Sequence, residues 1–166
     1  MAILKVMRGA YKNEAATENL INYILNPQKV PGNYYGGQGL SLLNPQMCIQ
    51  IVKDVFCHNT GKQMEHFVLS FADKESRIIS LDQALVLAYD ICDFFAGRQI
   101  VFAVHQNGEQ EIYEDERLHI HFVMSTTNIH SGYKERIDFM NVYSFKAHIE
   151  ALLWNAGVAE SVKLVF

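Results

Sequence analysis

The sequence predicts an α+β domain, an antiparallel β-sheet with helices packed mainly on one face. Runs of β-branched and aromatic residues with two-residue alternation ("EHFVLSFA", "QIVFAVH", "LHIHFVMSTT") read as strands. Other segments carry helix caps and apolar residues at three-to-four-residue spacing. The two kinds of segment follow one another without the regular βαβ rhythm of a parallel sheet.

Each element has a local reason. "AILKVMR" opens the chain as a strand. "NEAATENLINYILNP" is a short helix, stopped by Pro27 because the residue before a proline disfavours the helical region. "VPGNYYGGQGLSLL" reads as a glycine-rich loop or an irregular strand pair. Asn44 caps the next helix, with Pro45 at its first position. Cys48, Ile51, Val52, Val55 and Phe56 are expected on its inward face. Ser80 and Gln83 make a capping box for a further helix. Its stripe is Leu81, Ala84, Leu85, Ala88, Cys92 and Phe95, and Gly97 closes it. "NVYSFKAHIEALLWNAG" is the last helix, with Phe145, Ile149, Leu152 and Ala156 inward, and "SVKLVF" a final strand.

The length of 166 residues suits one domain, 1–166, and 49% hydrophobic residues can fill its core. No apolar run approaches the ~18 residues of a membrane span, and the N-terminus lacks a signal-peptide pattern. Cys48, Cys57 and Cys92 are odd in number and lack CxxC spacing, so they read as reduced thiols in a cytoplasmic protein. The net charge of −4 carries no nucleic-acid signature, but it is uneven. Residues 1–66 hold six Lys/Arg and four acids, a balance of +2, and the remainder carries −6. Much of the acid sits in "NGEQEIYEDER", which reads as an acidic hairpin tip.

Strand alternation in "RLHIHFVMSTTN" places His119, His121, Val123 and Ser125 on one face, and Ile120, Phe122 and Met124 on the other. His105 ends the preceding strand. A hairpin centred near Ile112 and Tyr113 would set His105 opposite the His119–His121 pair, with opposed Cβ atoms about 4.5–5.5 Å apart. Three imidazoles would then meet one cation and leave positions open for catalysis. A tight turn at Asn107-Gly108 would instead pair Gln106 with Glu109 and carry His119 past His105. Spacing leaves both registers open.

"AVHQ" followed by "HIHFVMSTTN" resembles the histidine motif of the relaxases, the plasmid mobilization nucleases of the HUH endonuclease superfamily. "NLINYILNPQK" is similar to the family's N-terminal segment bearing the nucleophilic tyrosine. "KQMEHFVLSFAD" is similar to its "HFVQSF" strand, and "SGYKE" to a segment that follows the histidines. The resemblance runs in order from about residue 5 to 155. It implies an HUH-type, ferredoxin-like fold. It implies His105, His119 and His121 as ligands of a divalent cation, Mn or Mg, and Tyr23 as the nucleophile. Asn128 and His66 match supporting positions. Where the family often has Asp two residues after the first histidine, this chain has Asn107.

The activity so implied is site- and strand-specific DNA nicking and strand transfer. The partners are single-stranded or origin-of-transfer DNA and accessory nicking proteins, with no membrane involved. A tyrosine hydroxyl of ordinary pKa, about 10, is a poor nucleophile at neutral pH, which is why a cation beside it matters. Lys29 is a candidate phosphate contact, and Tyr34 and Tyr35 are candidates for stacking DNA bases. Tyr11, Tyr34 and Tyr35 are the other N-terminal tyrosines to weigh as nucleophiles. Lys62, Lys134 and Arg136 read as surface charges, His58 as a capping or surface residue, and His130 and His148 lack a partner signal. Replication initiators and transposases of the same superfamily usually carry their tyrosine after the histidine pair; here the best match precedes it. The alternative from another class is a non-catalytic DNA-binding or interaction module descended from a relaxase, which the net acidity and Asn107 favour.

Overall fold

The computed structural model describes residues 1–106, 118–159 and 161–166. The elements run β1 (Ala2–Val6), α1 (Glu14–Ile24), β2 (Tyr35–Gln38), α2 (Pro45–Val55), β3 (Met64–Phe71), a single turn α3 (Asp73–Ser76), α4 (Leu81–Cys92), β4 (Arg98–Gln106), β5 (Leu118–Asn128), α5 (Phe139–Asn155) and β6 (Val162–Val165). The strands form one six-stranded sheet in the order β2-β4-β5-β3-β1-β6. Every neighbouring pair is antiparallel except β1 with β6. The α+β class and the HUH-type arrangement expected from the sequence are both present, but helices cover both faces of the sheet rather than mainly one.

Alternation along the strands divides the core in two. Leu4, Phe67, Leu69, Ile100, Phe102, Ile120 and Phe122 point to one face, where α4 and α5 cover them with Ala84, Leu87, Ala88, Ile91, Phe145, Ile149 and Leu153. This is the larger core. Val101, Ala103 and Val123 point to the other face and meet Leu20, Ile21 and Ile24 of α1 and Ile49 of α2. The histidines of β4 and β5 share this second face.

The caps expected at Asn44 and Ser80 form, and α1 and α5 have caps of their own. Asn13 and Asn44 accept from Ala16 and Met47 backbone N–H, and Ser80 and Gln83 close a reciprocal capping box. α5 begins at Phe139, two residues before the expected start, and the Asp138 side chain caps it by accepting from Asn141 N–H. The α5 stripe is Val142, Phe145, Ile149 and Leu153, with Ala156 exposed.

The inward face of α2 differs from the expectation. Pro45, Ile49 and Lys53 are buried, while Ile51 and Val55 are 53% and 69% exposed. The helix is rotated by roughly a quarter turn from the predicted face. Its apolar residues gather on one side, but that pattern did not set the buried face. Docking against α1 did, with the buried Lys53 ammonium donating to Thr17 Oγ1 at 3.3 Å.

Candidate active site

The register between β4 and β5 decides the histidine constellation. His105 lies directly across from His119, and Ala103 from His121. This is the register of the wider hairpin: Gln106 pairs with Leu118 rather than with Glu109. The stretch 107–117, with Asn107 and the acidic tip, lies outside the described residues. β5 is an interior strand paired on both sides, so its two histidines sit near the middle of the sheet. His105, His119 and His121 are buried, and one ligand atom from each lies within 4.8 Å of the others.

Each ring is oriented by what holds it. The His105 Nε2–H donates to the Ile24 carbonyl at 2.7 Å. That carbonyl belongs to the last turn of α1, where C=O groups lack helical partners. Neutral His105 therefore keeps a lone pair on Nδ1. His121 Nδ1 lies 2.9 Å from His66 Nε2, and His121 Nε2 is a buried nitrogen with no hydrogen-bond partner among the described residues. Burial, then the neighbouring His105, His119, His66 and Lys29, hold the His121 pKa far below its ordinary value. Burial also lowers His105, and burial and His105 lower His66 to about 4. Neutral imidazoles crowded around an unpartnered buried nitrogen are the donor set that a transition-metal-type cation takes. The three residues fit such an ion.

Tyr23 stands on the last turn of α1, next to Ile24. The bond from His105 to Ile24 thus docks the tyrosine-bearing turn onto the cluster. The Tyr23 ring is edge-on to His121 (centroids 5.6 Å, 89°) and to His105 (6.4 Å, 64°), and the side chain is 46% exposed. The Lys29 ammonium lies 4.8 Å from the centre of the Tyr23 ring. A nucleophile candidate, a cation and three imidazoles therefore share one partly open surface.

The other candidates divide. His66 is at the site, on β3 beside β5. Tyr35 pairs with Ala103, which in turn pairs with His121, so Tyr35 lies on the histidine face two strands from His121. Tyr34 is turned the other way: it packs on the larger core, and its hydroxyl donates to Asp82 at 2.9 Å. Asn128 ends β5 about 23 Å along the strand from His121 at ~3.3 Å per residue. Its side chain accepts from His130 and Ser131 N–H and donates to Glu135, so it shapes the turn after β5. Lys62 pairs with Glu65, and Lys134 donates to the Thr60 carbonyl. His58 bonds Thr127, and His148 the Asp90 carbonyl.

One residue at the site was not singled out by the sequence, and another was weighed only as an alternative nucleophile. Ser70 pairs with His119, is buried, and its hydroxyl has no partner among the described residues. The alternation His66, Val68, Ser70 was the available signal. Tyr11 reaches His66, with its hydroxyl 3.3 Å from Nδ1. No local pattern marks that contact.

A six-stranded, mostly antiparallel sheet is consistent with a scaffold of the HUH kind, and the three histidines converging on its central strands could hold a metal ion. Residues 23–153 match the relaxase family, MobA/VirD2-like, nuclease domain, and the chain belongs to that family. No curated protein and no solved structure matches the chain. No helix of the described residues is long and apolar enough to cross a membrane.

Proposed function

We propose that this protein is a relaxase that cuts one strand of DNA at a transfer origin, with Tyr23 as nucleophile and a divalent ion, Mn or Mg, held by His105, His119 and His121. The observation that carries the reading is the placement of the Tyr23 ring against His121 and His105 on the histidine face. A bound divalent ion would polarise the non-bridging oxygens of a phosphodiester and ease ionisation of a phenol beside it.

The chain's own groups do the rest. Tyr23 Oη gives up its proton to solvent and attacks phosphorus in line, which requires an approach of about 3–3.5 Å. The P–O3′ bond breaks, the departing oxygen takes a proton to become a free 3′-hydroxyl, and the 5′-phosphate remains esterified to Tyr23. The ester keeps the bond energy, so attack by a 3′-hydroxyl rejoins the strand. Lys29 supplies positive charge where the phosphate must lie. Tyr35 offers an aromatic surface on the same sheet face for an unstacked base. Exposure of Tyr23 gives the strand access.

The test is adduct formation with supercoiled plasmid carrying the cognate origin, followed on denaturing gels with Mn, with Mg and with EDTA. A covalent protein–DNA species that needs the divalent ion is expected. If none forms with any divalent metal, the non-catalytic DNA-binding reading stands instead.

A further inference from the structure

His66 and Tyr11 come from different parts of the chain yet form a line behind His121. The His66 and His121 rings meet edge to edge, with centroids 5.2 Å apart and planes at 30°, and His66 Nε2 is 2.9 Å from His121 Nδ1. On the far side, His66 Nδ1 is 3.3 Å from the Tyr11 hydroxyl. His66 is buried. Tyr11 is held from several sides: its backbone sits in the left-handed region (φ 36°), which L side chains rarely adopt. Its carbonyl accepts from Gln63 N–H at 2.7 Å. Its ring lies over Gly9, where a Cβ would collide with it. Such local strain persists only where surrounding contacts over-determine it.

The hydrogen-bond pattern has one direction that suits a metal ligand. For His121 Nε2 to present a lone pair to the cluster, the proton of the neutral ring must sit on Nδ1. That Nδ1–H then donates to His66 Nε2. The His66 proton is consequently on Nδ1, and it donates to the Tyr11 oxygen. A buried imidazole behind a ligand fixes both its tautomer and its ring angle.

We infer that His66 is a positioning residue for the metal centre, with Tyr11 behind it: the chain Tyr11–His66–His121 holds His121 in the tautomer that offers Nε2 to the cation. This rests on the reading of the three histidines as a metal site.

Two measurements on the purified protein test it. The first is Mn binding by calorimetry for the parent and for His66→Ala, His66→Gln and Tyr11→Phe, with melting curves of the metal-free proteins as the folding control. His66→Ala is expected to raise Kd about 10–100-fold. His66→Gln, whose amide oxygen can accept from His121 Nδ1–H, should recover much of that loss, and Tyr11→Phe should lose less than about tenfold. The second needs no variant: long-range proton–nitrogen NMR of the histidines in the parent loaded with diamagnetic Zn. Both His66 and His121 should carry their protons on Nδ1. A parent that binds metal while His66→Ala binds equally well, or a proton on Nε2 of either ring, overturns this inference alone. A parent that binds no divalent ion overturns the metal reading and this inference with it. If His66→Ala fails to fold, the tautomer measurement decides.

Discussion

Tyr23 meets His121 edge to face, with ring planes at 89° and centroids 5.6 Å apart, across the junction between α1 and the centre of the sheet. The contact exists because the Ile24 carbonyl, next in the chain, is anchored by His105. A helix end and a metal-type cluster are thus one unit, and their chemistry should respond together.

Tyr23→Phe removes one oxygen from a half-exposed side chain. Its stability should change by less than about 0.5 kcal/mol. The covalent adduct with the origin strand should vanish while DNA binding, read by fluorescence anisotropy, stays near the parent's. Persistence of the adduct would move the nucleophile elsewhere, and Tyr11 and Tyr35 would be tested next.

Metal should stabilise the fold through the histidines. With free Mn at about 100 times Kd, unfolding should become harder by about 2.7 kcal/mol, seen as a rise in Tm. His119→Ala and His121→Ala should each lose most of that rise. Excess Mn should partly restore cleavage by His121→Ala, since the lesion is in affinity. An undiminished rise in the variants would place the ion at another site.

Lys29 is exposed, so Lys29→Ala should leave Tm within the range of a neutral surface change. Its ammonium sits over the Tyr23 ring, so single-stranded DNA should bind more weakly. Removing one phosphate interaction should flatten the slope of log K against log salt by about 0.7. An unchanged slope would show that Lys29 does not touch the backbone of the strand.

Lys53 gives a prediction about stability alone. Burial, then the nearby Lys134, lowers its folded-state pKa from 10.5 to about 8. Below about 8 the ammonium is charged in both states, and the fold bears the whole cost of burying it. Between about 8 and 10.5 the unfolded chain binds more protons, so the native state gains stability as pH rises. Lys53→Met should therefore stabilise the protein at pH near 7 by about 1–3 kcal/mol. That advantage should shrink as pH approaches 10. Urea unfolding of both proteins across this range reads it directly, and a constant difference would contradict it.

The sequence by itself determined whatever depends on neighbours in the chain. Alternation put His119 and His121 on one strand face, and the caps at Asn44 and Ser80 placed two helix starts. The order of the elements was legible as well, and a resemblance of motif drew attention to the tyrosine before "ILNP". Only the tertiary structure decided what depends on segments far apart. Two hairpin registers were open for His105, and long-range pairing across the sheet selected the one that faces His119. Adjacent Tyr34 and Tyr35 looked equivalent until strand pairing sent one to α4 and the other to the histidine face. The rotation of α2 and the burial of Lys53 came from docking on α1, which left part of the helix's own apolar side, Ile51 and Val55, exposed. The contact from Tyr11 through His66 to His121 spans 55 residues at each link. No periodicity encodes such a contact, because it is made by side chains that meet only after the sheet has assembled.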